Sequence, residues 1–149
     1  METAEAIERW HRVVRRGEVD LLDDLLADEV VFHSPVVHTP QEGKAVTRLY
    51  LSAAAGVFSS GAKRDRPPTD GETGGKDSGF RYVREIVGPQ DALLEFMTEI
   101  DGIQINGIDL IRFNESGQII DFKVMVRPLK AVNKLHQLMA GMLKSMQSD

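Results

Sequence analysis

The sequence predicts an α+β domain, with helices first, a curved antiparallel sheet second and one more helix at the end. Three observations predict it. Apolar residues recur three and four apart as far as Phe58, and from Phe80 they recur at every second position. The alternating runs are joined by links of a few residues rich in Gly, Pro, Asn and Asp. Links that short connect neighbouring antiparallel strands, and helices segregated from such a sheet define the α+β class. With 149 residues the chain has the length of a single domain, 1–149. Its apolar share of 42% and charged share of 28% are those of a globular chain rather than a disordered one.

Ile7, Trp10 and Val14 form one apolar face of a first helix, with Thr3 as candidate N-cap and Gly17 as its stop. A short second helix, Val19 to Ala27, presents Leu22, Leu25 and Leu26. Glu29 to Ser34 is β-branched and aromatic and ends at Pro35, which predicts a strand. Gly43 to Phe58 returns to helical spacing through Val46, Leu49, Tyr50, Ala53 and Val57. The segment 59–79 holds five Gly and the Pro67-Pro68 pair, with nothing apolar larger than Ala62, and we expect a flexible loop there. Four strands follow, Phe80–Val87, Ala92–Ile100, Ile103–Phe113 and Gln118–Arg127, linked by turn signals such as Asp101-Gly102. A last helix from Pro128 to Met146 carries Val132, Leu135, Met139, Met142 and Met146 at heptad-like spacing, which suits packing on its own domain.

Composition excludes several functions. Lys+Arg 18 against Asp+Glu 23 gives a net charge of -5, unlike a protein that tracks a phosphate backbone, so no nucleic-acid partner is expected. No apolar run approaches the ~20 residues of a membrane helix. The METAEAIERW start is acidic and amphipathic rather than signal-like, and a cytoplasmic protein is expected. Cys 0 removes disulfides, thiol nucleophiles and thiolate metal sites together.

Strand parity then points to one residue. In the third of the four strands, Ile103, Ile105, Asp109, Ile111 and Phe113 share a face, so a carboxyl points the same way as three isoleucines and a phenylalanine. Buried carboxylates are rare, and the ordinary reading is an Asp that reaches water or a backbone amide. The alternative is a carboxyl kept neutral by its apolar surroundings, able to donate to a developing oxyanion. His33 and His38 bracket Pro35 and are the candidate bases; with no third ligand nearby they make no metal site. His11 and His136, on predicted helices, are read as surface or packing residues. No phosphate loop, nucleophile elbow or zinc helix occurs.

Two segments, LADEVVFHSP (26–35) and IDLIRFNESGQI (108–119), resemble the nuclear transport factor 2-like superfamily. Within it the chain is most similar to the SnoaL-like polyketide cyclases and ketosteroid isomerases. The likeness covers nearly all of Ile7 to Arg127 and leaves out the 59–79 loop and the final helix. It implies a cone, a curved sheet wrapped round helices, with an apolar pocket at one end. Asp109 matches the protonated oxyanion-hole Asp of the isomerases, Trp10 stands where they have a Tyr, and Ser34 stands where they have the general-base Asp. A hydroxyl is a poor base at neutral pH, so the standard isomerase mechanism lacks its base here.

Parity and resemblance together give an expected lining of Trp10, Phe32, Ser34, Phe58, Phe96, Phe122 and Val126 around Asp109. Two functions fit that pocket. One is an isomerase, cyclase or dehydratase, working without cofactor on a hydrophobic carbonyl compound, with Asp109 at the oxygen and His33 or His38 as base. The other is a non-catalytic module that binds an apolar ligand or a protein partner. Leu93, Met97, Ile108 and Leu110 on the opposite sheet face predict a homodimer.

Overall fold

The computed structural model describes residues 3–65 and 79–147. Helix α1 (Thr3–Arg16) buries Ala6, Ile7, Trp10 and Val13. It stops at Gly17, whose φ of 68° and bond from its amide to Val13 O (3.0 Å) form the left-handed exit that glycine adopts freely. The expected second helix is shorter than its apolar spacing suggests. A 3-10 turn (Val19–Leu21) leads into α2 (Leu22–Leu25), and Leu26 is already extended, opening β1 (Leu26–His33). A two-residue strand, β2 (Gln41–Glu42), pairs with Val31 and Phe32.

Helix α3 (Lys44–Asp65) is tied to α2 by Arg48, whose Nε donates to Asp23 Oδ1 at 2.6 Å and holds that carboxyl below its ordinary pKa. Its backbone runs past Phe58, so residues 59–65 of the expected loop are helical instead. Helical hydrogen bonding carries through Ser59, Ser60 and Gly61, residues whose composition alone spoke against it. Residues 66–78 of that loop lie outside the described residues. The antiparallel meander follows as β3 (Arg81–Val87), β4 (Asp91–Ile100), β5 (Ile103–Phe113) and β6 (Ile119–Arg127), and α4 (Leu129–Gln147) closes the chain.

The sheet order is β2-β1-β6-β5-β4-β3, six strands that curve without closing. It is mixed rather than wholly antiparallel: β1 lies parallel to β6. A parallel pair needs a long crossover, which α3 and the meander supply between the two strands. Asp101 (φ 52°) and Gly102 (φ 80°) make the tight β4–β5 turn that their Asp-Gly pair signals.

Burial alternates strictly along β4 and β5, with Ala92, Leu94, Phe96, Thr98 and Ile100 facing inward opposite Ile105, Asp109, Ile111 and Phe113. In β6 a register shift inserts one extra residue, so Ile119, three positions before Phe122, is buried on the same side of the sheet. Two apolar clusters fill the concave side. One joins α1, α2 and β1 to the ends of β4, β5 and β6; the other joins α3 and α4 to the middle of the sheet around Phe96, Ile100 and Ile105. Each fully buried Leu or Phe contributes about 1.5–3 kcal/mol. The space between the clusters is left unfilled.

Candidate active site

That space is a cavity of ≈ 220 Å³. Five of the chain's six phenylalanines face it, Phe32, Phe58, Phe80, Phe96 and Phe122. Their rings brace one another. Phe80 stacks on Phe96 with centroids 4.9 Å apart, and Trp10 meets Phe122 edge-on at 4.9 Å. Trp10, Ser34, Val126 and Asp109 also lie on this wall, so the structure brings the whole expected lining to one place. An apolar cavity of about 150 Å³ takes up benzene, and this one holds a somewhat larger body.

The polar side of the cavity is one hydrogen-bond chain. Trp10 Nε1 donates to Tyr82 Oη at 2.8 Å, and Tyr82 Oη donates to Asp109 Oδ2 at 2.5 Å. Asp109 is 5% exposed and sits between Leu94 of β4 and Val124 of β6 in register. Burial pushes its carboxyl up from 3.8 to about 7, although the Tyr82 hydrogen bond pulls the other way. Burial, followed by the facing Asp109 charge, drives the Tyr82 phenol well above its ordinary value. Oδ2 accepts the Tyr82 hydrogen bond, so the acid proton of a neutral Asp109 belongs on Oδ1, the oxygen left free to donate.

Tyr82 escaped the sequence reading. Its register against Phe96 decides which way it points, and a bulge between Tyr82 and Arg84 breaks the alternation of β3 just after it. The available signal was the period-two pair Phe80 and Tyr82 at the head of the strand. His136, expected to be a surface or packing residue, is exposed on α4 and also lines the cavity beside Leu135 and Met139.

The two expected bases stand elsewhere. His33 Nε2 lies 2.9 Å from Asp121 Oδ1, on half-exposed side chains across β1 and β6, and is not part of the cavity wall. Strict alternation turns it away from the face that Phe32 presents. His38 is exposed and likewise off the wall. Ser34 does line the cavity, and its Oγ accepts the Val36 amide at 3.1 Å. Among the described residues no three or more His, Cys, Asp or Glu side chains converge as metal donors. Nor is any described helix long and apolar enough to cross a membrane.

Comparison with solved structures gives the chain its kinship. A steroid delta-isomerase from Pseudomonas aeruginosa is similar at a TM-score of 0.81 and 30% identity, over 99% of this chain and 95% of that one. The chain belongs to the nuclear transport factor 2-like superfamily. An NTF2-like protein of unknown function from Mesorhizobium loti matches at a TM-score of 0.64 and 22% identity, over 85% and 91% of the two chains. The epoxide hydrolase/cyclase-like enzyme SalBIII of salinomycin biosynthesis shares the fold at a TM-score of 0.59 and 15% identity, over 84% and 90%. No protein-family model and no curated protein matches the sequence. The overlap of 99% with the isomerase takes in the final helix, which the sequence motifs had left outside the NTF2-like likeness.

Proposed function

We propose that this NTF2-like protein binds a hydrophobic carbonyl compound in its cavity and isomerises it without a cofactor, with Asp109 donating to the carbonyl oxygen. The observation that carries the reading is the lone carboxyl Asp109, buried among apolar side chains and held by Tyr82 at one oxygen only. A neutral acid there strengthens its hydrogen bond as negative charge gathers on the substrate oxygen, and the apolar walls keep that interaction unscreened. Kinship with a steroid delta-isomerase favours isomerisation over cyclisation or dehydration. The apolar lining favours a substrate with few polar groups beyond the carbonyl. The folded unit is a homodimer in this reading, joined through the outer face of the sheet.

Removing one oxyanion donor typically costs about a hundred- to a thousandfold in turnover. Asp109→Ala therefore loses that much kcat on a β,γ-unsaturated ketone, and Asp109→Asn, which keeps a donor, loses less. Turnover assays with 3-cyclohexenone and a Δ5-3-ketosteroid, followed by the ultraviolet absorbance of the conjugated product, measure both. Full activity in Asp109→Ala refutes the reading.

A specific observation favours a second reading, a binding module without chemistry. The Trp10 N–H and the Tyr82 O–H are both spent within the protein, so ligand oxygens find fewer free donors than in an open oxyanion hole. Thermal-shift binders that show no turnover would select that module.

A further inference from the structure

An isomerase of this kind needs a group that takes a proton from carbon and returns it to carbon, while Asp109 stays at the oxygen. Ser34 is no such group, since a hydroxyl is not a base at neutral pH. His33 is held against Asp121, and His38 is off the cavity wall. The ionisable side chains among the described lining residues are Tyr50, Tyr82, Asp109 and His136. A phenol keeps its proton to about pH 10, and that of Tyr82 is already committed to Asp109. Imidazole is the side chain that exchanges a proton near neutrality.

His136 is placed for the task by helical spacing. It follows buried Leu135 and precedes Met139 by three residues, on the flank between the apolar and polar faces of α4. The apolar face, through Leu135, Met139 and Leu143, is a wall of the cavity. On the polar side a shallow groove is lined by Lys130, Asn133 and Gln137, and only His136 and Ala140 border both it and the cavity. His136 therefore borders both the cavity and the water-facing groove.

We propose that His136 is the catalytic base of this site, acting from the helical wall on a substrate whose oxygen is held by Asp109 of the sheet. The proposal rests on the isomerase reading above. On a β,γ-unsaturated ketone, His136 takes the α-proton and the C–H electron pair becomes the new double bond of a dienolate. The negative charge moves to the oxygen facing Asp109. The imidazolium then returns the same proton at the γ-carbon and the carbonyl re-forms, with no atom gained or lost and no change of oxidation state.

The test uses the full chain with 3-cyclohexenone and a Δ5-3-ketosteroid as probes, comparing the parent with His136→Ala, His136→Gln and Asp109→Ala. Losing a general base costs about 10²–10⁴-fold in kcat, so both His136 variants fall by that factor while KM stays within about twofold. Free imidazole in the buffer restores part of the activity of His136→Ala, whose side chain leaves room for it, and not of His136→Gln. Turnover of His136→Ala within about threefold of the parent, with Asp109→Ala inactive, overturns the base and leaves the Asp109 reading standing. A loss that imidazole does not restore also overturns the base. A parent inactive on both probes, or an active Asp109→Ala, overturns both readings.

Discussion

At the scale of single residues the site is a buried carboxyl that accepts one hydrogen bond from a neighbouring phenol. Tyr82 donates a hydrogen bond to one oxygen of Asp109, Trp10 donates to Tyr82, and the surrounding Leu94, Phe96 and Val124 keep water from the carboxyl. This has a consequence for stability. Asp109 titrates at about 7 when folded, against an ordinary value of 3.8. Below pH 3.8 both folded and unfolded chains hold the proton. Between there and about 7 the unfolded chain releases it while the folded chain keeps it, so stability falls as pH rises and levels off above the folded value. Asp109→Asn has no such slope. Urea unfolding of both proteins from pH 4 to 8 should show the variant gaining on the parent up to about pH 7, and parallel curves would refute the shift. Asp109 was legible in the sequence because β5 alternates without interruption. Tyr82 was not, because its neighbours depend on strand register, which one strand's sequence does not carry.

At the scale of elements the meander was legible and its surroundings were less so. Period-two patterning and the Asp-Gly and Asn-Glu-Ser-Gly links specify four antiparallel neighbours locally. The parallel pairing of β1 with β6 joins residues some ninety positions apart, which no local pattern encodes. Bulges in β3 and β6 move side chains from one face to the other, and these too are set by the partner strand. Within β5, Gly107 marks a close approach: a Cβ there would lie 2.4 Å from Phe96 Cζ and 2.8 Å from the Met125 carbonyl oxygen. The bare glycine lets the Phe96 ring lie flat across the strand and form part of the cavity wall. Gly107→Ala must push that ring or the β6 backbone aside, and overpacking of this kind costs about 1–3 kcal/mol. Urea unfolding reads the loss, and a variant as stable as the parent would mean that Phe96 has room to move.

At the scale of the whole molecule the two faces of the sheet differ in what covers them. The concave face carries the helices and the cavity. The convex face leaves Ile86 at 51%, Leu110 at 37% and Met125 at 54% exposure, with Leu93, Met97 and Ile108 partly covered between them. Register places Ile86 opposite Leu93, Leu93 opposite Leu110, and Ile108 opposite Met125, an apolar run across four strands flanked by Glu95 and Lys123, with Met97 beyond Glu95. We expect two copies to pair across it. Sedimentation should show a dimer at micromolar concentration that Leu110→Lys converts to monomer, and a parent found only as monomer counts against pairing. Another consequence follows from the placement of Trp10. It is the chain's one tryptophan, and its indole forms part of the cavity wall two hydrogen bonds from Asp109. All tryptophan fluorescence of the molecule therefore originates at the cavity, so entry of a ligand or ionisation of the carboxyl can be followed as a change in emission from unlabelled protein.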